Sequence, residues 1–168
     1  MLMIRRSTAD DTETIHRFNV QLQEHLYSSN PDTWRRNPDT QQYKEGVIRE
    51  ASDPEVYTLI AEIDGKPVGY ISSRIMDRQE PAPQKVGVVM NAYVDLEHRG
   101  KGVATALMKQ ILDHFTESGV EEATLRYIIG NREAERYWKS LGFKPIIKVA
   151  NVKLETLKAN LQKRPSQG

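Results

Sequence analysis

Apolar and polar positions along this chain follow two different periods, and the switches between them mark out its elements. "MIRRSTADD" reads as a short strand running into a turn, where Thr8, Asp10 and Asp11 are N-cap residues for the first helix. Ile15, Phe18, Val20, Leu22 and Leu26 fit only loosely to a helical stripe through 11–27. A Pro-, Asn- and Ser-rich stretch then leads to a short helix over 40–51. Two strands follow at 56–63 and 67–76, with Asp64-Gly65 between them as a hairpin signal. "KVGVVMNAYVD" (85–95) shows little alternation and reads as a central strand buried on both faces. Behind it Val103, Leu107, Ile111 and Phe115 recur every four residues, the apolar face of one helix, which Ser118-Gly119 ends. "ATLRYII" (123–129) is the next strand. Asn131 caps a second helix bearing Ala134, Tyr137, Trp138 and Leu141 on one face, and "KPIIKVANVKLE" closes with strand character over 145–155. The predicted order is β-α-α-β-β-β-α-β-α-β: a mixed α/β sheet with helices packed on it, one domain over 1–157, then a polar, frayed tail at 158–168 holding Lys158, Lys163 and Arg164.

Composition narrows the chemistry. The 168 residues suffice for one core, and a net charge of +1 supplies no field that argues for nucleic acid. There is no cysteine, which removes disulfides, a thiolate nucleophile and cysteine zinc sites, and fits a cytoplasmic setting. No apolar run approaches the ~20 residues of a membrane span, and the N-terminal apolar stretch is too short for a signal peptide. His16, His25, His98 and His114 are scattered without metal-ligand spacing, so no metal is expected; His98 borders a glycine-bearing loop.

That loop lies in the most informative stretch, "EHRGKGVATAL" (97–107). Gly100 and Gly102 sit among basic residues directly ahead of a helix. A helix N-terminus exposes unpartnered N–H groups at the positive end of its dipole, and glycines aim them without an obstructing side chain. Arg99 and Lys101 add charge, giving a seat for phosphate oxygens. No Gly-Lys-Ser/Thr comes at P-loop spacing and the Gly-x-Gly-x-x-Gly pattern is missing, so the seat matches neither familiar nucleotide motif.

Arg99-x-x-Gly102-x-Ala104 resembles the R/Q-x-x-G-x-G/A signature of the GCN5-related N-acetyltransferases. "NAYVDLEH" before it is similar to the central-strand segment that leads into that signature. "NREAERYWKSLGF" (131–143) resembles the family's N-x-x-A-x-x-aromatic-aromatic-x-x-x-G-F segment. The resemblance is specific over 86–145. It implies a GNAT-like acyl-CoA N-acyltransferase fold, with acetyl-CoA as cosubstrate in a V-shaped cleft. The pyrophosphate is then expected on the signature loop, Arg99, Gly100, Lys101, Gly102, Val103, Ala104 and Thr105. The pantetheine arm is expected to pair with Ala92, Tyr93 and Val94 as an added strand, and Asn131 to contact the same arm.

Two departures bear on catalysis. The position where many members carry a tyrosine acid falls on Trp138, and Tyr137 precedes it. An indole N–H only donates hydrogen bonds and releases no proton at useful pH. Either Trp138 shapes the thioester pocket and water or substrate protonates the thiolate, or Tyr137 reaches in. The position that carries glutamate in histone-modifying members is Val88; Asn91 and Tyr93 nearby are not strong bases, and Glu62 on a neighbouring strand is the candidate base, acting through water. The resemblance implies that the segment 11–51 covers the acceptor cleft; it holds Tyr27, Trp34, Arg35, Arg36 and Tyr43 with Glu24, Asp32, Asp39 and Glu45, which read either as a lining suited to a cationic amine or, since the charges are mixed, as a solvated connector. The expectation is an acetyl-CoA-dependent N-acetyltransferase acting on a primary amine of a small molecule or peptide by direct attack in a ternary complex. The family's habits also suggest a homodimer sharing the closing strands. The competing reading is a non-catalytic acyl-CoA-binding sensor.

Overall fold

A computed structural model of the protein describes residues 1–32, 37–79 and 84–163. Five strands, β1 (Leu2–Arg6), β2 (Val56–Ile63), β3 (Lys66–Asp77), β4 (Lys85–Val94) and β5 (Glu122–Leu125), form one sheet in sequence order. The first three pairings are antiparallel, and β4 pairs with β5 in parallel through the crossover helix α3 (Val103–Glu117). Helices α1 (Thr12–Ser29) and α2 (Gln41–Ser52) cover one face; α3 and α4 (Arg132–Ser140) cover the other.

Pattern dictates the layers. Asp64 and Gly65 both take positive φ, 51° and 75°, which closes the β2–β3 hairpin as the Asp-Gly pair predicts. The α3 stripe Val103, Leu107, Ile111 and Phe115 is buried against Leu59, Ala61, Ile71 and Val89. On the opposite face Ile15, Phe18 and Leu22 of α1 and Val47 of α2 enclose Ile60, Tyr70 and Tyr93, with the Phe18 and Tyr70 rings stacked 5.7 Å apart. Arg5 ties β1 to this face by donating to both Asp11 and Glu62.

Two sequence expectations fail at the C-terminal end. The strand expected over 123–129 stops at Leu125, because the chain leaves the sheet to meet the end of α1, where Asn30 donates to the Ile129 carbonyl at 2.9 Å. The expected closing strand at 145–155 is absent. Residues 144–153 have neither helix nor strand structure, and a helix α5 (Leu154–Gln162) occupies part of the stretch read as strand and part of the predicted tail. Strand propensity alone forms no ladder without a partner edge, and among the described residues 145–153 pairs with none. The observed order is therefore β-α-α-β-β-β-α-β-α-α, still a mixed α/β sheet. Arg164 lies outside the described residues.

Candidate functional site

β4 is the element that opens the site. Its parallel pairing with β5 covers only Val86–Val89. From Asn91 to Val94 it pairs with β3 alone, so its other edge faces a gap beyond the end of β5. Such an edge offers unpaired N–H and C=O groups to an amide-bearing ligand. A bulge opposite Ser72/Ser73 leaves Met90 without a partner and switches the side-chain alternation. In consequence Val89, Ala92 and Val94 all pack toward α3, whereas Tyr93 enters the α1 side beside Phe18, ring centroids 5.8 Å apart.

The chain leaves β4 through a 3-10 turn at Leu96–His98 and reaches α3 through Gly100 and Gly102, φ 71° and 82°. Gly102 is the α3 N-cap in left-handed geometry, with no side-chain cap for the first-turn N–H groups, and a Cβ at either glycine meets nothing within 4 Å. The helix start is thus bare backbone facing open space, the arrangement that binds anions. Val103, 1% exposed, anchors it in the core. Lys101 is exposed at the turn.

Arg99 is held by partners within the chain. Its Nε donates to the Val94 carbonyl at 2.9 Å and its Nη1 to Glu133 at 2.7 Å, while the guanidinium sits 5.5 Å from the Tyr93 ring centre. It braces the loop against β4 and α4. The Val94 carbonyl is occupied accordingly.

Asn131 is buried and caps α4, its Oδ1 accepting from Ala134 N at 3.1 Å. It also interacts with His25 of α1, whose imidazole pKa is lowered by burial and by the charge of Arg99. Sequence reasoning left His25 among scattered histidines; only the docking of α1 against the β5–α4 turn brings it to Asn131, Arg99 and Glu133. Trp138 is buried in the α3-side core between Tyr137 and Phe143, ring centres 4.8 and 5.6 Å away. The Tyr137 hydroxyl is shielded from solvent and lies by Thr105 of α3 without a hydrogen bond of good geometry; burial raises its pKa. Tyr93 is likewise raised by burial.

Glu62 accepts from Arg5 at 2.9 Å, and their closest ion-pair approach is 2.7 Å, two strands away from β4. A carboxylate held this way belongs to the β1–β2–α1 junction. Another carboxylate, absent from the sequence reading, lies nearer. Asn91, on β4 beside the bulge, donates to Glu50 Oε1 at 2.7 Å and to Ser72 Oγ at 3.1 Å. No residue spacing signals that contact, because it spans α2 and β4.

Of the residues expected to line the acceptor region, Trp34, Arg35 and Arg36 lie outside the described residues. Tyr43 points its hydroxyl at the Asn19 carbonyl, 3.5 Å away, and Glu45 accepts from Gln41. Tyr27, Glu24, Asp32 and Asp39 are exposed, on or just beyond α1 and ahead of α2. Two depressions, of about 360 and 340 Å³, lie at the opposite end of the sheet, around Arg6, Pro54, Tyr57 and His114. No group of three or more His, Cys, Asp or Glu among the described residues is arranged to hold a metal, and no described helix is long and apolar enough to cross a membrane.

With this geometry in place, the sequence pattern of the acetyltransferase (GNAT) family matches residues 19–143. The chain belongs to that family. It is 31% identical over 105 residues to an N-alpha-acetyltransferase of Sulfurisphaera tokodaii, a match spanning 59% of this chain and 63% of that protein. It is 27% identical over 146 residues to an uncharacterised N-acetyltransferase of Archaeoglobus fulgidus, spanning 82% and 89%. The chain spans less than two thirds of the length of three of the curated relatives it matches, 38%, 63% and 30%. The crystal structure of a GCN5-related N-acetyltransferase from Ralstonia eutropha JMP134 shares the fold, with a TM-score of 0.72 at 19% identity, covering 92% of this chain and 99% of that one. The GNAT fold expected from the two motifs is therefore present in this family member.

Proposed function

We propose that this GNAT protein is an acetyl-CoA-dependent N-acetyltransferase that moves the acetyl group to a primary amine by direct attack. One observation supports the reading: the edge of β4 left open by β5 from Met90 to Tyr93 is followed, after one short turn, by an uncapped helix start at Gly102, so an amide arm and a pyrophosphate find complementary backbone in sequence. Gly100, Lys101, Gly102, Val103, Ala104 and Thr105 would seat the pyrophosphate, and Ala92 and Tyr93 the arm. Arg99 acts as the brace that holds the loop in place. Asn131 has its Oδ1 committed to the helix cap, which leaves its amide N–H groups for His25 or the arm.

In the reaction the amine lone pair forms the N–C bond, the C–S bond breaks, and the electron pair leaves as CoA thiolate. The ammonium proton goes to a base. Glu50, held against β4 by Asn91, is the carboxylate beside the bulge and supports that role better than Glu62. A thiol with pKa near ~8.5 takes its proton from water, so Trp138 at the customary acid position is no obstacle. Tyr137, shielded and raised in pKa, is a poor donor. Positioning alone supplies a large share of such a rate. The match to an N-alpha-acetyltransferase favours a peptide α-amine among the acceptors. A cytoplasmic location and a homodimer complete the reading.

The test is thiol release from acetyl-CoA across peptides, polyamines, aminoglycosides and amino acids, with Gly102→Glu as control. Amine-stimulated release lost in the control supports the enzyme. Tight acetyl-CoA binding with no turnover on any amine would move the account to an acyl-CoA sensor.

A further inference from the structure

We propose that Asn30, at the C-terminal end of α1, is a positioning residue for acetyl-CoA: it latches the β5–α4 turn to α1 and so fixes where Asn131 stands beside the open β4 edge. The proposal rests on the acetyl-CoA reading given above. β5 ends at Leu125 and α4 begins at Arg132, so residues 126–131 carry no strand pairing to fix them. Apolar burial does little for this turn. Tyr127 packs in part on the α3-side core, but Ile129 is 63% exposed. Within the turn the Asn131 N–H donates to the Ile128 carbonyl at 3.1 Å and the Arg132 N–H to the Gly130 carbonyl at 2.9 Å, and neither bond ties it to another element.

The ties come from α1. Asn30 Nδ2 donates to the Ile129 carbonyl at 2.9 Å, a bond that spans 99 residues. Asn30 Oδ1 accepts from the Asp32 N–H at 3.0 Å, so the side chain is held at both ends and its amide has one orientation. At the next residue of the turn the two backbones touch. A Cβ on Gly130 would stand 2.6 Å from the Ser29 carbonyl oxygen, and Gly130 takes φ 101°, so only glycine permits the approach. His25, one helical turn earlier on α1, reaches Asn131 as well. α1 itself is a fixed post, because Ile15, Phe18 and Leu22 bury it against the sheet.

Asn131 is what the latch positions. Its Oδ1 is committed to the Ala134 N–H at 3.1 Å, so the amide N–H groups are the part left to meet an arm along β4. α4 is anchored independently, through Trp138 in the α3-side core, and the glycine loop is braced by Arg99 on the Val94 carbonyl. Releasing the turn from α1 therefore leaves the pyrophosphate seat standing and frees the residue that faces the arm. An amide already held in place adds no ordering cost when the arm binds, whereas a loose one must be ordered at that moment.

A double-mutant cycle on the full chain separates positioning from plain stability. Asn30→Ser and Asn30→Asp each keep an acceptor for the Asp32 N–H and remove the donor to Ile129. Asn131→Asp keeps the α4 cap and removes the amide donor. Wild type, the single variants and Asn30→Ser/Asn131→Asp are titrated with acetyl-CoA in a calorimeter, with melting followed by circular dichroism. The proposal expects saturable binding by the wild type and an about tenfold loss in Asn30→Ser and in Asn131→Asp. It expects the double variant within about threefold of the weaker single one, because the latch acts through Asn131. Losses that multiply to about a hundredfold overturn it, since a bond that only stabilises the fold acts whether or not Asn131 has its amide. Asn30→Ser binding as wild type overturns it, and so does Asn30→Asp disagreeing with Asn30→Ser, which would assign the effect to the new side chain. Each of those results leaves the acetyl-CoA reading intact; a wild type that binds no acetyl-CoA is the one outcome in which both fall.

Discussion

Replacing Asp11 by asparagine probes the junction that locks β1 to α1. The Asp11 carboxylate accepts both Arg5 Nη groups at 2.7 Å, the Thr8 N–H at 2.7 Å and the Thr8 hydroxyl at 3.2 Å, with a side chain only 9% exposed. The Arg5 hydrogen bonds, foremost, hold its pKa down from 3.8 to about 2. At about 1.4 kcal/mol per pH unit, that depression is worth about 2 kcal/mol at neutral pH. Arg5 is 34% exposed, and water screening brings the expectation to about 1–2 kcal/mol. Because the folded-state pKa is the lower one, this stabilisation stands in full above the unfolded value and drains away as pH falls toward about 2. Urea unfolding of Asp11→Asn at pH 7 should show that loss. Across the acid range the wild type should lose the same increment while the variant does not. A variant within 0.5 kcal/mol of wild type at pH 7, or one sharing its acid slope, would refute the reasoning.

Gly87→Ala should cost about 1–3 kcal/mol in thermal unfolding, because its Cβ would stand 2.3 Å from the rigid Phe115 ring; no loss would mean that α3 sits farther from β4. Glu50→Gln and Glu62→Gln separate two carboxylates: the first should lower kcat/KM by about 10²-fold in the range of general-base effects, the second should weaken stability and leave kcat unchanged, and the reverse outcome would return the base to Glu62. Tyr137→Phe should leave kcat within about twofold, since its hydroxyl is shielded and lacks a well-made bond; a hundredfold fall, the scale of a lost proton donor, would make it the acid.

Periodicity exposed the body of the fold because each face of each element is used once. The four-residue recurrence from Val103 to Phe115 can only be a helix against a sheet, and Asp64-Gly65 can only turn a hairpin. The loop at 99–105 was equally legible, because bare backbone before a helix is a local property. The features that escaped are non-local. Ile146, Ile147 and Val149 have strand character but no edge within their own chain, so pattern predicted a strand that pairing does not supply. The hold of Glu133 on Arg99 Nη1 spans 34 residues and carried no local signal. Glu50 and His25 carried no signal because their neighbours Asn91 and Asn131 come from other elements.

The most direct measurement is a calorimetric titration of acetyl-CoA into the wild-type protein and into Gly102→Glu. The substitution places a bulky carboxylate at the α3 N-cap, at φ 82°, where the seat has no side chain of its own. The account predicts saturable binding by the wild type and a loss of at least about a hundredfold in the variant, as phosphate meets like charge at a blocked helix start. Equal affinity in the two proteins, or no binding by the wild type, would contradict it.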